Sequence, residues 1–285
     1  MANLTYTVNC SILLTDIPLL DRPRAARDAG FEAVEFWWPF ASPSPAHDDV
    51  TAFVRAIQNA GVQLTGLNFA AGDMPAGDRG ILSNPALVQD FHNSVATAVR
   101  IAETLGTRCF NALYGNREAE FATSAQDRVA VDNLAHAALM ANRIGATVLL
   151  EPVSGAPHYP LKTATDVIEV IDRVRTHDGS TNIRLLADLY HLAVNGDDVS
   201  AAIVSYASRI GHVQIADAPG RGEPGSGELA LARQLQQLSE LGYSGYLGLE
   251  YKPTGPDPFG WIPPDERGTG GVNIETLRLQ ETRIS

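Results

Sequence analysis

Residues 142–152 read NRIGATVLLEP. This stretch contains a helix stop, a strand and a chemical group in that order. IleGly at 144–145 closes a helical pattern over 123–145, whose apolar residues Val129, Val131, Leu134, Ala138 and Leu139 recur near helical spacing. Glycine is favoured just past a helix because it enters the left-handed region without a Cβ clash. TVLLEP then runs apolar without alternation, the pattern of a strand buried on both faces. Pro152 biases Glu151 toward extended geometry and so toward the end of that strand.

The same beat recurs along the chain. Its marks are AlaGly at 29–30 and 60–61, LeuGly at 105–106 and 241–242, IleGly at 210–211 and, less regularly, AspGly at 178–179. Each precedes an apolar segment: FEAVEF from 31, VQLTGLNF from 62, CFNALY from 109, IRLLADL from 183, HVQIA from 212 and YLGLEY from 246. With YTVNCSIL from 6 and TVLLEP from 147 there are eight. Eight strand–helix units in 285 residues predict an α/β fold, a single (β/α)8 TIM barrel; an open doubly wound sheet is the alternative.

Helix starts are legible as well. Asn84 stands before Pro85 as a cap with proline at the first helical position. Ser124 is the expected N-cap of the 123–145 helix, with Asp127 in its first turn, and 162–174 reads as a further helix. Residues 1–285 therefore read as one domain. A long Pro/Gly-rich βα loop is expected at about 252–271 and a C-terminal helix at about 272–284.

Composition narrows the function. A net charge of −12 disfavours nucleic acid and anionic membrane surfaces, so neither is an expected partner. An anionic substrate would need local cations, and Lys162 and Lys252 are the two lysines. Two cysteines, Cys10 and Cys109, make neither a disulfide framework nor a zinc knuckle and read as core residues. The N-terminus shows no signal-peptide pattern, and no apolar run reaches membrane-spanning length. The expected location is cytoplasmic, and a homo-oligomer is compatible with the sequence.

In such barrels the reactive groups sit at the C-terminal ends of the strands. Four successive strands end in a candidate ligand: Glu151, Asp188, Gln214 and Glu250. Unpaired carboxylates converging on one mouth would repel, and a divalent cation removes that conflict. Carboxylate and amide oxygens suit Mg2+ or Mn2+. The bland alternative is four separate rim residues, each paired with an arginine. On strand eight, alternation places Gly248, Glu250 and Lys252 on the inner face. Gly220, Gly222 and Gly225 imitate a dinucleotide fingerprint, but only one strand follows them, whereas that fold needs several.

The blocks HVQIADAPGRGEPGSGE at 212–228, GFEAVEF at 30–36, GDMPAGDRG at 72–80, DLYH at 188–191 and EYKP at 250–253 together resemble the hydroxypyruvate isomerase family of xylose-isomerase-like TIM barrels. The resemblance spans about residues 5–262. It implies one divalent metal held by Glu151, Asp188, Gln214 and Glu250, with Glu151 and Glu250 as the proton-transferring pair. It further implies carbohydrate metabolism, with hydroxypyruvate and tartronate semialdehyde interconverted through an enediolate.

The substrate would be a small hydroxy or oxo acid. Lys252, Arg221 and Arg79 are candidates for its carboxylate, and His191 and His212 for further contacts. A solvated arginine, a rim histidine and a core histidine are the respective alternatives. Asp217 has the opposite parity and is expected to brace the Gly-rich turn or Arg221. Of Trp37 and Trp38, one is expected to wall the pocket. Rival functions are an isomerase of longer 2-oxo acid sugars of the 2-oxo-tetronate type, a ketose 3-epimerase, and a barrel that binds a sugar acid without turnover.

Overall fold

The punctuating glycines end their helices as expected. Gly61, Gly106 and Gly179 cap three helices with φ of 67°, 78° and 81°, where a Cβ would be strained. Gly211 is different. It lies inside a strand, and a Cβ there would fall 2.7 Å from Leu149 Cδ2 and 2.8 Å from Arg184 Cβ, so close strand approach requires it.

The computed structural model describes residues 4–268 and 271–282. Eight parallel strands close into a barrel in sequence order. They are β1 (Thr5–Asn9), β2 (Ala33–Phe36), β3 (Gln63–Asn68), β4 (Cys109–Asn111), β5 (Thr147–Leu150), β6 (Ile183–Asp188), β7 (Ile210–Ile215) and β8 (Tyr246–Leu249). Pairing of β1 with β8, Thr7 opposite Gly248, completes the closure.

Helices α1 (Arg22–Asp28), α2 (His47–Ala60), α3 (Val88–Leu105), α4 (Thr123–Asn142), α5 (Ala164–Asp178), α6 (Leu189–Val194), α7 (Val199–Tyr206), α8 (Leu231–Glu240) and α9 (Ile274–Glu281) surround it. The main core lies between the two rings. Val8, Val34, Val148 and Val213 of the strands are fully buried, with Phe53 of α2, Val95 of α3, Leu134 of α4 and Val167 of α5. No helix among the described residues is long and apolar enough to cross a membrane.

Several local expectations shift. Helix α4 starts one residue before Ser124, with Ala122 at the cap and no side-chain cap bond. Asp127 there accepts from Tyr114 Oη and Arg117 Nη2, holding the loop after β4. Asn84 does cap, but a short 3-10 turn (Pro85–Leu87) precedes α3. Strand β4 ends at Asn111, well short of Tyr114, whose backbone N–H is taken by Tyr159 Oη at 3.0 Å. Helix α5 carries a capping box between Thr163 and Asp166.

The Pro/Gly-rich segment after β8 does not arch over the mouth. It descends the barrel wall toward the opposite end, where the strands begin. Phe259 packs on Phe31, at a ring-centroid distance of 4.7 Å, and Trp261 on Tyr6 at 5.8 Å. Arg267 donates to the carbonyls of Ala29, Phe259 and Ile262. Burial of Phe259 and Ile262 explains this course, since apolar side chains would be stranded over a polar mouth. The C-terminal helix is observed as α9; the expected extension over 283–284, like 269–270 of the loop, lies outside the described residues.

Candidate active site

Asp188 ends β6 and at the same time caps α6, its Oδ1 accepting from His191 N at 3.0 Å. Gln214 of β7 lies in register with Asp188. Glu151 and Glu250 follow directly after β5 and β8. All four side chains are buried, although three are carboxylates. Their packing places them around one centre. Gln214 Nε2 donates to Glu250 Oε2, and Arg221 Nη2 lies 2.5 Å from Glu250 Oε1 and 3.5 Å from Asp188 Oδ2.

His191 links the other side. Ser154 N donates to its Nδ1 at 3.1 Å. That nitrogen is therefore an acceptor, and the neutral ring carries its proton on Nε2. Nε2 faces Glu151 Oε1 at 3.8 Å and Asp188 Oδ2 at 3.7 Å. Atoms of Glu151, Asp188 and His191 lie within 4.8 Å of one another, the one such group among the described residues; in this tautomer the two carboxylates supply ligand oxygens and His191 an N–H donor. Glu250 joins the set through Gln214 and Arg221 rather than by that spacing.

The electrostatics follow from burial. Burial pushes the Glu151 carboxyl up, and the charge of Asp188 adds to it. Burial raises Glu250 too, against the opposing pull of Arg221. Burial lowers His191 to about 4, so the imidazole is neutral near pH 7. Burial works against the charged form of Arg221, but Glu250, Asp188 and Glu151 hold its guanidinium above the usual value. Neither cysteine is a nucleophile here: burial raises both thiols, Cys109 to about 11.

The donor set leaves acceptors over. Asp188 Oδ2, Gln214 Oε1 and Asn111 Oδ1 are buried and find no hydrogen-bond donor among the described residues. Buried acceptors are costly when unmade, and hard oxygens clustered in this way fit a divalent cation of the Mg2+ or Mn2+ type.

A cavity of about 540 Å³ reaches this cluster, lined by Glu151, Glu250, His191, Arg221, Arg79 and Lys252 among others. Arg79 is anchored by Nη1 to the carbonyls of Met74 and Asp78. Lys252 has no ion-pair partner among the described residues. Trp37 walls this cavity, while Trp38 stacks edge-on against Phe40. A larger cavity of about 700 Å³ adjoins it, sharing Ser11, Trp37, Met74 and Pro75.

The structure separates His212 from the other expected substrate contacts. It points inward as expected, yet below the mouth, where its Nε2 lies 2.7 Å from Glu35 Oε2. It does not line the mouth cavity. Parity gave its face, but depth along the strand decides access. Asp217 braces the Gly-rich turn, accepting from the backbone N–H groups of Ala218, Gly225 and Leu229. Of the glycine triplet, Gly225 thus has its amide taken by Asp217, and Gly222 O accepts from Asp217 N at 2.8 Å.

Three groups have no role in the sequence reading. Asn111 donates to Glu151 Oε2 at 2.7 Å, Asn9 to Glu250 Oε2 at 2.7 Å, and Glu35 receives Gln214, Asn9 and His212. A carboxylate inside the buried segment FEAVEF was the available signal for Glu35.

Comparison with known proteins adds kinship to the geometry. Residues 23–268 match the family described as Xylose isomerase-like TIM barrel. A putative hydroxypyruvate isomerase of Streptomyces coelicolor is 48% identical over 274 residues, covering 93% of this chain and 98% of that protein. The hydroxypyruvate isomerase of Escherichia coli is 32% identical, covering 88% and 94%. A 2-oxo-tetronate isomerase of Pectobacterium atrosepticum is 30% identical, covering 91% and 97%.

Proposed function

The chain belongs to the xylose isomerase-like TIM barrel family, among isomerases that it matches over nearly their whole length, and from that premise we propose that it interconverts hydroxypyruvate and tartronate semialdehyde. One observation carries the reading. Asp188 and Gln214, on the two strands between those that lead to Glu151 and Glu250, each keep a buried oxygen acceptor without a donor, and both glutamate carboxyls are raised. A purely structural set of rim residues would be satisfied by arginines. Here Arg221 alone enters, and Gln214 Oε1 stays without a donor.

The reaction takes a proton from the hydroxymethyl carbon and leaves its electron pair as the double bond of an enediolate. A proton returns to the neighbouring carbon, while the hydroxyl proton passes to the former carbonyl oxygen. Glu151 and Glu250 carry the carbon-bound protons. Burial raises both carboxyls in the cation-free protein, and a bound cation would lower them again while also acidifying the substrate's carbon-bound proton. Glu151 is anchored through Oε2 by Asn111, and its Oε1 has no hydrogen bond among the described residues. His191 offers its Nε2 proton to a substrate oxygen. Arg79, Lys252 and Arg221 surround the cavity and meet the substrate carboxylate. Glu151, Asp188, Gln214 and Glu250 would hold the cation, which when bound supplies Lewis acidity for negative charge on adjacent oxygens.

The test is metal analysis of the purified protein together with a hydroxypyruvate isomerisation assay. Glu151→Gln and Glu250→Gln should each lower kcat by about 10²–10⁴-fold, the usual size of general acid–base catalysis. Near-native turnover in either variant sinks the two-glutamate scheme. Hydrogen–deuterium exchange at the substrate carbon separates an enzyme from a binder, which gives none.

A longer 2-oxo acid sugar is the second reading. Cavity size favours it, since about 540 Å³ opening beside about 700 Å³ exceeds what a three-carbon acid fills. A substrate panel with product analysis decides between them.

A further inference from the structure

Glu35 stands on β2, is 3% exposed, and does not line the mouth cavity, so it cannot touch a substrate there. Its contacts are nevertheless aimed at the site. Oε1 accepts from Gln214 Nε2 at 2.7 Å and from Asn9 Nδ2 at 3.1 Å; Oε2 meets His212 Nε2 at 2.7 Å. Both amides also donate to Glu250 Oε2.

We propose that Glu35 is a positioning residue, which holds the Gln214 amide in the orientation that presents its oxygen to the cluster of Glu151, Asp188 and Glu250. The inference rests on the cation reading above.

Hydrogen-bond inventory decides the orientation. A primary amide has two N–H donors and one oxygen, and a carboxylate only accepts. Flanked by Glu35 Oε1 and Glu250 Oε2, Gln214 must turn its NH2 to both. Its oxygen then points elsewhere, and it is indeed the buried acceptor left without a donor. A half-turn of the amide would set oxygen against two carboxylates and aim N–H groups at the cation position. Glu250 alone guards the orientation weakly, because it is itself a ligand candidate and is shared with Arg221 and Asn9. Glu35 is pinned from below by His212. The barrel also leaves room for the pair: a Cβ on Gly248 would fall 2.7 Å from both Glu35 Oε1 and Gln214 Cγ.

The experiment is calorimetric titration of the native chain and variants with Mn2+ alone, no substrate present. Glu35→Met should weaken Mn2+ binding about 10–100-fold, the usual cost of losing a partner that orients a ligand. Glu35→Gln should stay within a few-fold of native, because its amide oxygen can accept from Gln214 while its NH2 donates to His212 Nε2, whose proton moves to Nδ1 in that variant. In a Gln214→Ala background, Glu35→Met should cause no further loss. Native-like affinity in Glu35→Met, or an equal loss with and without Gln214, overturns the proposal. If Glu35→Met does not fold, Gly248→Ala probes the same contact; it should weaken binding, and native-like affinity there also overturns it. A native chain that takes up no Mn2+ fails the cation reading itself and the inference with it. Native uptake with an unaffected Glu35→Met fails the inference alone.

Discussion

Glu151 and Glu250 lie buried beside Asp188, and that placement sets a pH dependence. Burial keeps both carboxyls above the ordinary glutamate range. In the unfolded chain they titrate normally, so the folded, cation-free protein binds more protons than the unfolded chain as pH rises past about 5. Its stability should therefore fall as pH climbs through the raised values. A cation must displace those protons, so Mn2+ affinity should rise across the same window and level off above it. Thermal unfolding and calorimetry at about pH 5.5 and pH 8 check both signs. A cation-free Tm that rises with pH, or an Mn2+ affinity that falls, contradicts the assigned burial effect. His191 opposes this trend in part: burial holds it at about 4 in the folded chain while it titrates near 6.5 in the unfolded one, so it adds stability as pH rises toward about 6.5, one imidazole against two carboxyls.

At the scale of elements, the loop after β7 does for Arg221 what Glu35 does for Gln214. Asp217 pairs its backbone with Gly222 and takes three backbone N–H groups on its carboxylate. The turn so formed places Arg221 at φ 61°, in the left-handed region, with its guanidinium against Glu250 and Asp188. A non-glycine residue there is strained by roughly 1–2 kcal/mol, so the turn must be held. Asp217→Ala leaves those N–H groups unmet and should cost about 2–4 kcal/mol in urea unfolding. It should also raise KM for the acid more than it lowers kcat, because Arg221 loses its seat. Unchanged KM would mean that Arg221 does not meet the substrate. Elements of this kind mark the limit of sequence reading. Glycine stops and apolar runs are local signals, so all eight strands and the residues at four strand ends were legible. The His212–Glu35 contact joins positions 177 apart, and no local pattern announces it. Side-chain parity tells which face a residue takes, whereas depth in the barrel depends on register with neighbouring strands. Ser124 misled for a related reason: propensity proposes a cap, but the start of α4 is set by Gln126 and Asp127 fastening the preceding loop.

Across the whole molecule, barrel closure and chemistry occupy opposite ends. β8 pairs with β1, and Glu250 emerges at the mouth. From there the chain descends the wall, burying Phe259 against Phe31 and Trp261 against Tyr6, before Arg267 fastens it to Ala29. Val272 N then donates to Leu4 O at 2.8 Å, tying the last segment to the first strand's entry. This segment therefore serves closure of the sheet at the stable end and not access to the site. Arg267→Ala removes donors from three carbonyls and should lower stability by about 1–3 kcal/mol. At a temperature where the variant is folded, kcat/KM should match the native chain, since Arg267 lies remote from the mouth cavity. Paired thermal unfolding and steady-state kinetics read the two ends separately. A loss of kcat/KM without a loss of Tm would place the segment in the catalytic machinery, against the position that its aromatic contacts give it.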